Sequence, residues 1–477
     1  MRKPKPRADT GTRRPAVRRF SGVPEGLLIL AVVLFVTTSH AGARAGAAGT
    51  AAQPAQAFTN AVLIDGTGAP AVEHATVVIR GATIEAAGPA GQVKIPSGAA
   101  VTDLHGKVLM PGLADMHVHL LGGWDGHAVD MLGYRRYMNA LLYAGVTTVL
   151  DTGNVQPYIV QLRAETAAGR LLGPHIYCVG GIVDGADPVW PPISYAVASV
   201  GQVAPVVKGL KRDNVDLIKG YVGLSHAVLE RLVEEGRKVS LKVIVDQWQR
   251  NGSPDLVEDG IYGFAHLPTR LLSPDTVRFM QEHNTVFIST LIVHESQTRN
   301  RLRDLTFLDD PLVRDTSPPS FLEGLRAEAA RKLDSDEVAH AERWEKLQQN
   351  AMANAKALFR AGVLLAAGTD APYPGDMQGE GLHHELELLV AAGLTPLETI
   401  TVATRNAARL IGAGDWGTIE AGKAATLIVV DGRPDRNISD TRRVVEVMLR
   451  GRKIDRESLK LVHQNDPGYE PVSPTDF

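Results

Sequence analysis

The sequence predicts an α/β fold: a TIM-like (β/α)8 barrel over residues 113–411, with a small β-sandwich domain built from residues 58–112 and 412–462. Three observations support this prediction. The chain has 477 residues, which is enough for one large domain and a smaller one. Its middle alternates apolar strand-like runs with helix-like stretches. Both flanks are rich in strand-like runs and lack helical periodicity.

The flanking segments are predicted to form one β-domain. Short β-like runs separated by Gly and Pro occur at 61–65 and 76–79, and similar runs return at 425–431 and 444–450. Because strands are stable only within a sheet, we expect these two distant segments to pair with each other.

The middle of the chain is predicted to supply the barrel strands. Helix-like stretches separate several of them; in one, Ser273 can cap a helix that opens with Pro274. A doubly wound open sheet fits less well, because no Gly-x-Gly-x-x-Gly turn follows the first strand. The eight candidate strands are 115–119, 146–151, 175–179, 215–219, 242–246, 263–266, 286–291 and 363–370.

Residues 295–356 are a long charged insertion after the seventh candidate strand, with helical patterns at 322–331 and 337–357. In a barrel this position is at the catalytic mouth, so the insertion is either a lid or a solvated helical decoration.

The N-terminal residues 1–43 are predicted to be a signal peptide. A basic start is followed by an apolar run at 26–36 and then by small residues in an Ala-x-Ala arrangement. The protein is therefore expected to be exported to the periplasm or secreted. The alternative is an uncleaved membrane anchor formed by residues 26–38. Residues 44–57 are rich in Ala and Gly and indicate a linker.

Composition excludes some classes of protein. The formal net charge of −3 predicts no broad attraction to nucleic acid. Cys178 is the only cysteine, so no intrachain disulfide is possible. If the signal is cleaved, no stable membrane insertion is expected. A homo-oligomer is compatible with the sequence.

His117 and His119 indicate a metal site. On a β-strand, side chains two residues apart point to the same face, so both imidazoles aim at one point. Asp115 lies on that face too and is a candidate hydrogen-bond partner for the pair. Four further polar residues close apolar runs at the same predicted end of the barrel, where catalytic groups lie: Lys219, Asp246, His266 and Asp370.

The chain resembles the metal-dependent amidohydrolase superfamily, in its imidazolonepropionase-like and prolidase-like branch. The resemblance runs from about residue 58 to 453 and is specific when its motifs are taken together. These motifs are residues 110–119 (MPGLADMHVH), 144–149 (AGVTTV), 215–219 (VDLIK), 368–371 (GTDA), 383–389 (HHELELL), 392–398 (AGLTPLE), 403–408 (ATRNAA) and 417–423 (GTIEAGK).

The resemblance implies specific roles for these residues. His117 and His119 would bind a first divalent metal together with Asp370, and His266 would bind a second. Lys219 would become carbamylated and bridge the two metals, since an unmodified ammonium has no lone pair. Asp370 would also be the catalytic residue that moves protons. The metal is expected to be Zn²⁺, with Mn²⁺ or Fe²⁺ as alternatives, at one or two ions per chain.

The fifth strand departs from the family pattern, because Asp246 stands where the family usually has a histidine. Three interpretations stay open. The carboxylate of Asp246 binds the second metal, the second metal is lost, or Lys242 occupies the site instead.

The expected function is hydrolysis of a C–N bond by metal-activated water. The substrate would be a small amide-type molecule: an amide, a cyclic amide, an N-acyl amino acid or a dipeptide. The alternatives are a metal-binding homologue without hydrolytic activity and a lyase or isomerase on the same barrel.

Four residues near the predicted strand ends are candidates for substrate binding, although each can also be an ordinary loop, surface or capping residue. They are Tyr221, Arg270, His294 and His383. Residues 190–192 (Trp-Pro-Pro) could form an apolar wall of the pocket.

Overall fold

A computed structural model describes residues 54–122 and 130–463. The predicted signal peptide or anchor and most of the predicted linker lie outside these residues and stay predictions. Within the described ranges, no helix combines the length and apolar character needed to cross a bilayer. The eighteen strands of the described residues are β1 (Ala55–Leu63), β2 (Val72–Arg80), β3 (Thr83–Pro89), β4 (Ala100–Asp103), β5 (Val108–Pro111), β6 (Leu113–Val118), β7 (Val146–Asp151), β8 (His175–Cys178), β9 (Ile182–Asp184), β10 (Ser194–Ala196), β11 (Ile218–Gly220), β12 (Val243–Val245), β13 (Gly263–Phe264), β14 (Val286–Ile288), β15 (Leu364–Ala366), β16 (Leu427–Val430), β17 (Val444–Leu449) and β18 (Arg452–Ile454).

The α-helices lie almost entirely between the barrel strands, as the alternating pattern predicts. The fourteen helices of the described residues are α1 (Tyr134–Tyr143), α2 (Gln156–Ala167), α3 (Val203–Arg212), α4 (His226–Lys238), α5 (Pro254–Glu258), α6 (Pro274–Glu282), α7 (Leu291–Thr298), α8 (Asn300–Arg303), α9 (Pro311–Arg314), α10 (Pro319–Ala330), α11 (Ser335–Arg360), α12 (Glu380–Ala391), α13 (Pro396–Val402) and α14 (Arg405–Ile411).

Strands from both chain ends join in one eight-stranded sheet, in the order β18-β17-β16-β5-β1-β2-β3, and β4 also pairs with β1. The pairing of distant segments is therefore confirmed. The first strand begins at Ala55, inside the segment predicted to be a linker. Ala55 and Ala57 are buried against Val78. These two alanines, which the Ala- and Gly-rich composition of the segment assigned to a linker, are therefore part of the sheet.

The barrel consists of two hydrogen-bonded sheets, β6-β7-β8 and β10-β9-β11-β12-β13-β14-β15. Backbone hydrogen bonds join their edges: Met116 N donates to Ala367 O, and Asp216 N donates to Cys178 O, both at 2.8 Å. Each of the eight candidate runs contains or overlaps one barrel strand, which confirms the predicted parallel barrel. The short strands β9 and β10 were not predicted, because Gly180, with a φ of +72°, interrupts the apolar run before β9.

Strand β12 shows how alternation places the site residues. Ile244 belongs to the apolar cluster inside the barrel, whereas Val243 and Val245 pack outward against the helices. Asp246 and Lys242 therefore share the inward parity of Ile244 but lie at opposite ends of the strand. Lys242 is exposed, and its Nζ lies 3.9 Å from the ring centroid of Tyr262, which excludes the interpretation that put Lys242 at the metal site.

The insertion after β14 folds into α7 to α11, which confirms its predicted helices. The 26-residue helix α11 begins with a capping box between Asp334 and Glu337. On its buried face, Asn354 Nδ2 donates to Pro268 O at 2.8 Å and to Arg270 O at 2.7 Å, and its Oδ1 accepts from Leu272 N at 3.0 Å. The insertion therefore holds the loop that follows β13.

Close contact between β13 and β14 makes Gly263 a stability determinant. An added Cβ there would overlap the backbone oxygen of Val286. We expect Gly263→Ala to lower the free energy of unfolding by about 1–3 kcal/mol, measured by denaturant unfolding. The matched control is Gly209→Ala in α3, where a Cβ meets nothing within 4 Å. Alanine should stabilise that helix by roughly 0.5–1 kcal/mol. Equal effects at both positions would contradict this explanation.

Candidate metal centre and active site

His117, His119 and Asp370 meet where β6 ends beside the segment that follows β15. Asp370 Oδ1 lies 3.0 Å from His117 Nε2 and 3.0 Å from His119 Nε2. Asp370 has a φ of +78°, a region that residues with a Cβ rarely adopt. Such conformations are found at sites where the surrounding structure fixes a side chain for function.

The Nδ1 atom of each imidazole is hydrogen-bonded to a backbone carbonyl oxygen. His117 Nδ1 donates to Ala265 O at 2.8 Å, and His119 Nδ1 donates to Gly153 O at 2.7 Å. Carbonyl oxygens only accept, so both rings carry a proton on Nδ1 and turn Nε2 towards the centre, which is the nitrogen that would bind a metal.

His266 and Asp246 form a second group beside the first. His266 Nδ1 lies 2.7 Å from Thr290 Oγ1, and His266 Nε2 lies 3.2 Å from Asp246 Oδ2. Asp246 Oδ1 accepts from Trp248 N at 3.1 Å, so the carboxylate is oriented with Oδ2 towards His266. The carboxylate of Asp246 therefore lies beside His266, a position compatible with the interpretation that it binds the second metal.

Lys219 lies between the two groups. Its side chain is almost fully buried, and its Nζ lies 3.2 Å from His117 Nε2. Burial lowers the pKa of this amine, although the carboxylates of Asp370 and Asp246 act in the opposite direction. The amine is therefore shifted towards its neutral, nucleophilic form.

The protonation states suit metal binding. Burial, together with Lys219, lowers the pKa of His117 to about 3, so its ring is neutral. Burial alone would raise the pKa of Asp246, but His266 and Lys219 outweigh it and lower the pKa to about 2. Burial is likewise outweighed at Asp370, whose pKa the neighbouring histidines hold well below its usual value. Neutral imidazoles and ionised carboxylates are the forms that ligate metals.

The donor set fits a divalent metal. One ligand atom each from His117, His266 and Asp370 lies within 4.8 Å of the others. Nitrogen and oxygen donors of this kind, buried and backed by hydrogen bonds, suit Zn²⁺ and neighbouring first-row ions.

Asp115 supports the ligands as its position predicts. Its carboxylate accepts hydrogen bonds from His117 N at 3.1 Å, Thr369 N at 3.0 Å and Thr369 Oγ1 at 2.8 Å. Burial raises its pKa to about 7. These bonds fix the end of β6 relative to the segment that contains Asp370.

Sequence reasoning missed two supporting residues. Asp151 accepts from Leu120 N at 2.8 Å and from Asn154 Nδ2 at 2.7 Å, and thereby orders the loops on both sides of His119. Asp151 is the last residue of β7, so a search for polar residues at the ends of apolar strands could have identified it. Thr290, the partner of His266, carried no such signal.

A cavity of about 110 Å³ opens above the ligands. Tyr221, a candidate for substrate binding, lines it, and Trp190 lines it beside Pro192. Trp190 Nε1 donates to Tyr221 Oη at 3.1 Å. The indole only donates, so the tyrosine hydroxyl keeps its own hydrogen for another acceptor.

Three candidate substrate residues lie elsewhere. Arg270 donates to Gly252 O at 3.2 Å and to Ser253 Oγ at 2.9 Å and does not line the cavity. His294 is buried behind the site, with its ring centroid 6.4 Å from that of His266, and also does not line the cavity. The prediction that these two side chains face the substrate is therefore not supported.

His383, the third of these candidates, does not line the cavity either. Its Nε2 donates to Ala144 O at 2.8 Å, and its Nδ1 lies 2.9 Å from Thr441 Oγ1. His383 is therefore fully buried among groups outside the cavity. Helical position alone could not show which neighbours its side chain meets.

Thr290 provides a test of the site that needs no substrate. We expect Thr290→Val to weaken metal binding about 10- to 100-fold, because His266 loses the partner that orients it. Competition with a chromogenic chelator measures this affinity. The control is Thr285→Val, a buried position whose hydroxyl has no hydrogen-bond partner among the described residues. Unchanged affinity in Thr290→Val would contradict the proposed orientation of His266.

Comparison with known proteins supports the resemblance read from the motifs. A curated relative, the imidazolonepropionase of Shouchella clausii (strain KSM-K16), is 36% identical over 118 residues. That segment covers 24% of this chain and 26% of the relative, so it spans about a quarter of each protein.

Two solved structures share the fold. Phenylurea hydrolase B superposes with a TM-score of 0.68 at 23% identity and covers 86% of this chain and 99% of its own. A Xaa-Pro dipeptidase with bound methionine in the active site superposes with a TM-score of 0.67 at 21% identity and covers 84% and 99%.

The sequence profile of the Amidohydrolase family matches residues 108–454, which include all six predicted ligand positions. The match extends from β5 to β18 and thus includes the whole barrel. The chain belongs to the Amidohydrolase family.

Proposed function

We propose that this protein is a metal-dependent hydrolase that cleaves a C–N bond in small amide-type molecules with an activated water molecule. The observation behind the proposal is the convergence of three imidazoles, two carboxylates and a buried lysine beneath one cavity, which five of these six residues line. Asp370 Oδ1 lies 3.0 Å from two of the imidazoles. Phenylurea hydrolase B and the Xaa-Pro dipeptidase, which share this fold, are named for hydrolysis of C–N bonds.

We propose two divalent ions, with Zn²⁺ as the most suitable metal. His117, His119 and Asp370 would hold the first ion. His266 and Asp246 would hold the second, with the carboxylate taking the place of the family's histidine. An anionic ligand at this position binds the ion more tightly and makes it a weaker Lewis acid.

Lys219 would supply an anionic oxygen ligand for the ions once it is carbamylated. Attack of its neutral amine on CO₂ forms an N–C bond and releases one proton, and the product is an anionic carbamate with two oxygen donors. The burial that lowers the pKa of this amine favours the reaction. The short distance from Nζ to His117 Nε2 puts the new oxygens within reach of the ligand atoms.

Bound metal supplies the Lewis acidity that lowers the pKa of a water molecule and polarises the substrate carbonyl. Asp370 takes the proton from this water as its oxygen adds to the carbonyl carbon. The Tyr221 hydroxyl, fixed by Trp190, is available to donate to the carbonyl oxygen as it gains negative charge. Asp370 then returns the proton to the nitrogen while the C–N bond breaks, giving a carboxylic acid and an amine.

Two alternatives remain as outcomes of experiment: metal binding without hydrolysis, and a lyase or isomerase reaction. Hydrolysis in ¹⁸O-labelled water introduces one label into the acid product. Product formation without label would favour the lyase or isomerase reaction.

We also propose export by a signal peptide within residues 1–43, to the periplasm or the exterior. The order of basic, apolar and small residues in the sequence supports it.

Replacement of Asp370 should lower the catalytic rate much more than it lowers the amount of bound metal. We expect Asp370→Asn to lower kcat about 10²- to 10⁴-fold while much of the bound metal is retained, because the amide oxygen can ligate but cannot move a proton. Turnover and metal content are measured on the same sample. Asp259→Asn is the control, since Asp259 pairs with His226 and does not line the cavity. Full activity of Asp370→Asn would refute the assignment.

Metal content tests the role of Asp246. We expect two ions per wild-type chain by elemental analysis, and one in Asp246→Ala, because the second ion loses its carboxylate. The control Asp255→Ala removes an exposed carboxylate that pairs with Arg250 and should leave two ions. Native mass spectrometry should show 44 mass units added at Lys219, the mass of CO₂. One ion in the wild-type chain would instead indicate a mononuclear enzyme built on His117, His119 and Asp370.

A further inference from the structure

The motif at residues 383–389 (HHELELL) takes no part in the proposed reaction, although the family resemblance includes it. Its third residue, Glu385, is fully buried on α12. Glu385 Oε2 accepts a hydrogen bond from Ile292 N at 2.8 Å, across 93 residues of the chain. This bond joins α12 to the first turn of α7, the helix that follows β14.

The residue before α7 is Thr290, the partner of His266. A threonine at the N-cap of a helix ordinarily accepts, through its hydroxyl oxygen, from the second or third backbone N–H of that helix. Thr290 makes no such bond to the described first turn of α7. Its Oγ1 instead lies 2.7 Å from His266 Nδ1. The hydroxyl therefore serves the imidazole rather than its own helix.

Glu385 supplies the helix cap that Thr290 does not. Ile292 is the second residue of α7, so its N–H finds no acceptor within the helix. Ile292 is also fully buried, and a buried N–H needs a partner in the protein. Without the oxygen of Glu385, the usual alternative acceptor is the hydroxyl of the N-cap residue, Thr290. Rotation of that hydroxyl towards Ile292 would take it away from His266.

We propose that Glu385 is a positioning residue for the metal centre: it caps α7 and thereby leaves the Thr290 hydroxyl free to orient His266. The inference rests on the proposed metal-dependent function and adds to it a residue outside the proposed ligand set and outside the described lining of the cavity. It also gives the motif at residues 383–389 a role in the site.

The cap requires an oxygen acceptor rather than a charge. Burial raises the pKa of Glu385 to about 8, so this side chain is mostly uncharged at neutral pH. Glutamine keeps the length of the side chain and an oxygen for Ile292 N, whereas methionine keeps the length and removes the oxygen. The substitutions Glu385→Gln and Glu385→Met therefore separate loss of the acceptor from loss of the shape.

Affinity for Zn²⁺, measured by competition with a chromogenic chelator, tests the role of Glu385. We expect Glu385→Met to weaken Zn²⁺ binding about 10-fold or more, and Glu385→Gln to stay within about threefold of the wild-type chain. The control Thr395→Ala removes a different helix cap, the hydroxyl that accepts from Glu398 N at the start of α13. This control should bind Zn²⁺ as the wild-type chain does. Unchanged affinity in Glu385→Met would overturn the proposal, and so would equal losses in Glu385→Met and Glu385→Gln.

A double-mutant cycle with Thr290→Val separates positioning from general stabilisation of the fold. Because Glu385 is proposed to act through Thr290, Glu385→Met should weaken Zn²⁺ binding in the wild-type chain but have little further effect in Thr290→Val. Its effect on the midpoint of thermal unfolding should persist in both backgrounds, since Ile292 N loses the same acceptor in each. Additive effects of the two substitutions on Zn²⁺ affinity would overturn the proposal.

The proposal also predicts that the chain folds without this oxygen, because the Thr290 hydroxyl can take over as the cap of α7. If Glu385→Met does not fold, Glu385→Leu replaces it in the same measurements. If neither variant folds, Glu385 serves the fold as a whole, and its assignment as a positioning residue is overturned.

The outcomes separate this inference from the proposed function. If the affinities follow the expected pattern but no C–N bond is hydrolysed, the proposed function fails and the role of Glu385 stands. If hydrolysis is found and Glu385→Met binds Zn²⁺ as tightly as the wild-type chain, the role of Glu385 fails and the function stands. If the wild-type chain binds no Zn²⁺, both proposals are overturned.

Discussion

The buried carboxylate of Asp115 connects the two parts of the chain on which the site depends. It binds the backbone of His117 at the end of β6 and both the backbone and the hydroxyl of Thr369, 254 residues later. The first strand of the barrel and the segment after its last strand are thus joined next to the ligands. Three of the proposed ligands lie within two residues of these bonds, so a small shift here would move them all.

Charge balance is the second constraint on the site. Two ionised carboxylates and a lysine are buried together, and no member of this group could stay charged alone in such surroundings. The Nδ1 bonds of His117 and His119 to carbonyl oxygens settle which nitrogen faces the centre.

Much of this site could be predicted because side chains alternate between the two faces of each barrel strand and because the strands end at a common rim. The alternation of side chains along β12 turns Asp246 inward. Lys242 has the same orientation but lies at the opposite end of the strand, which excludes it from the metal site. Residues on loops and helices were harder to predict. His383 is buried away from the cavity, and helical periodicity does not say which neighbouring element a given face of a helix meets. Arg270 follows the right strand, but its side chain bonds to a neighbouring loop, and no local pattern in the sequence signals that.

The hydrogen bonds of Asn354 have a consequence for how this barrel could be altered. Its amide group contacts the backbone of three residues in the loop after β13, and His266 lies near the start of that loop. The helical insertion is therefore an internal brace for the segment next to a ligand, rather than a removable appendage. A chimera with a shorter insertion taken from a relative would need another group to hold the loop after β13. We therefore expect the insertion and this loop to be exchanged together in evolution.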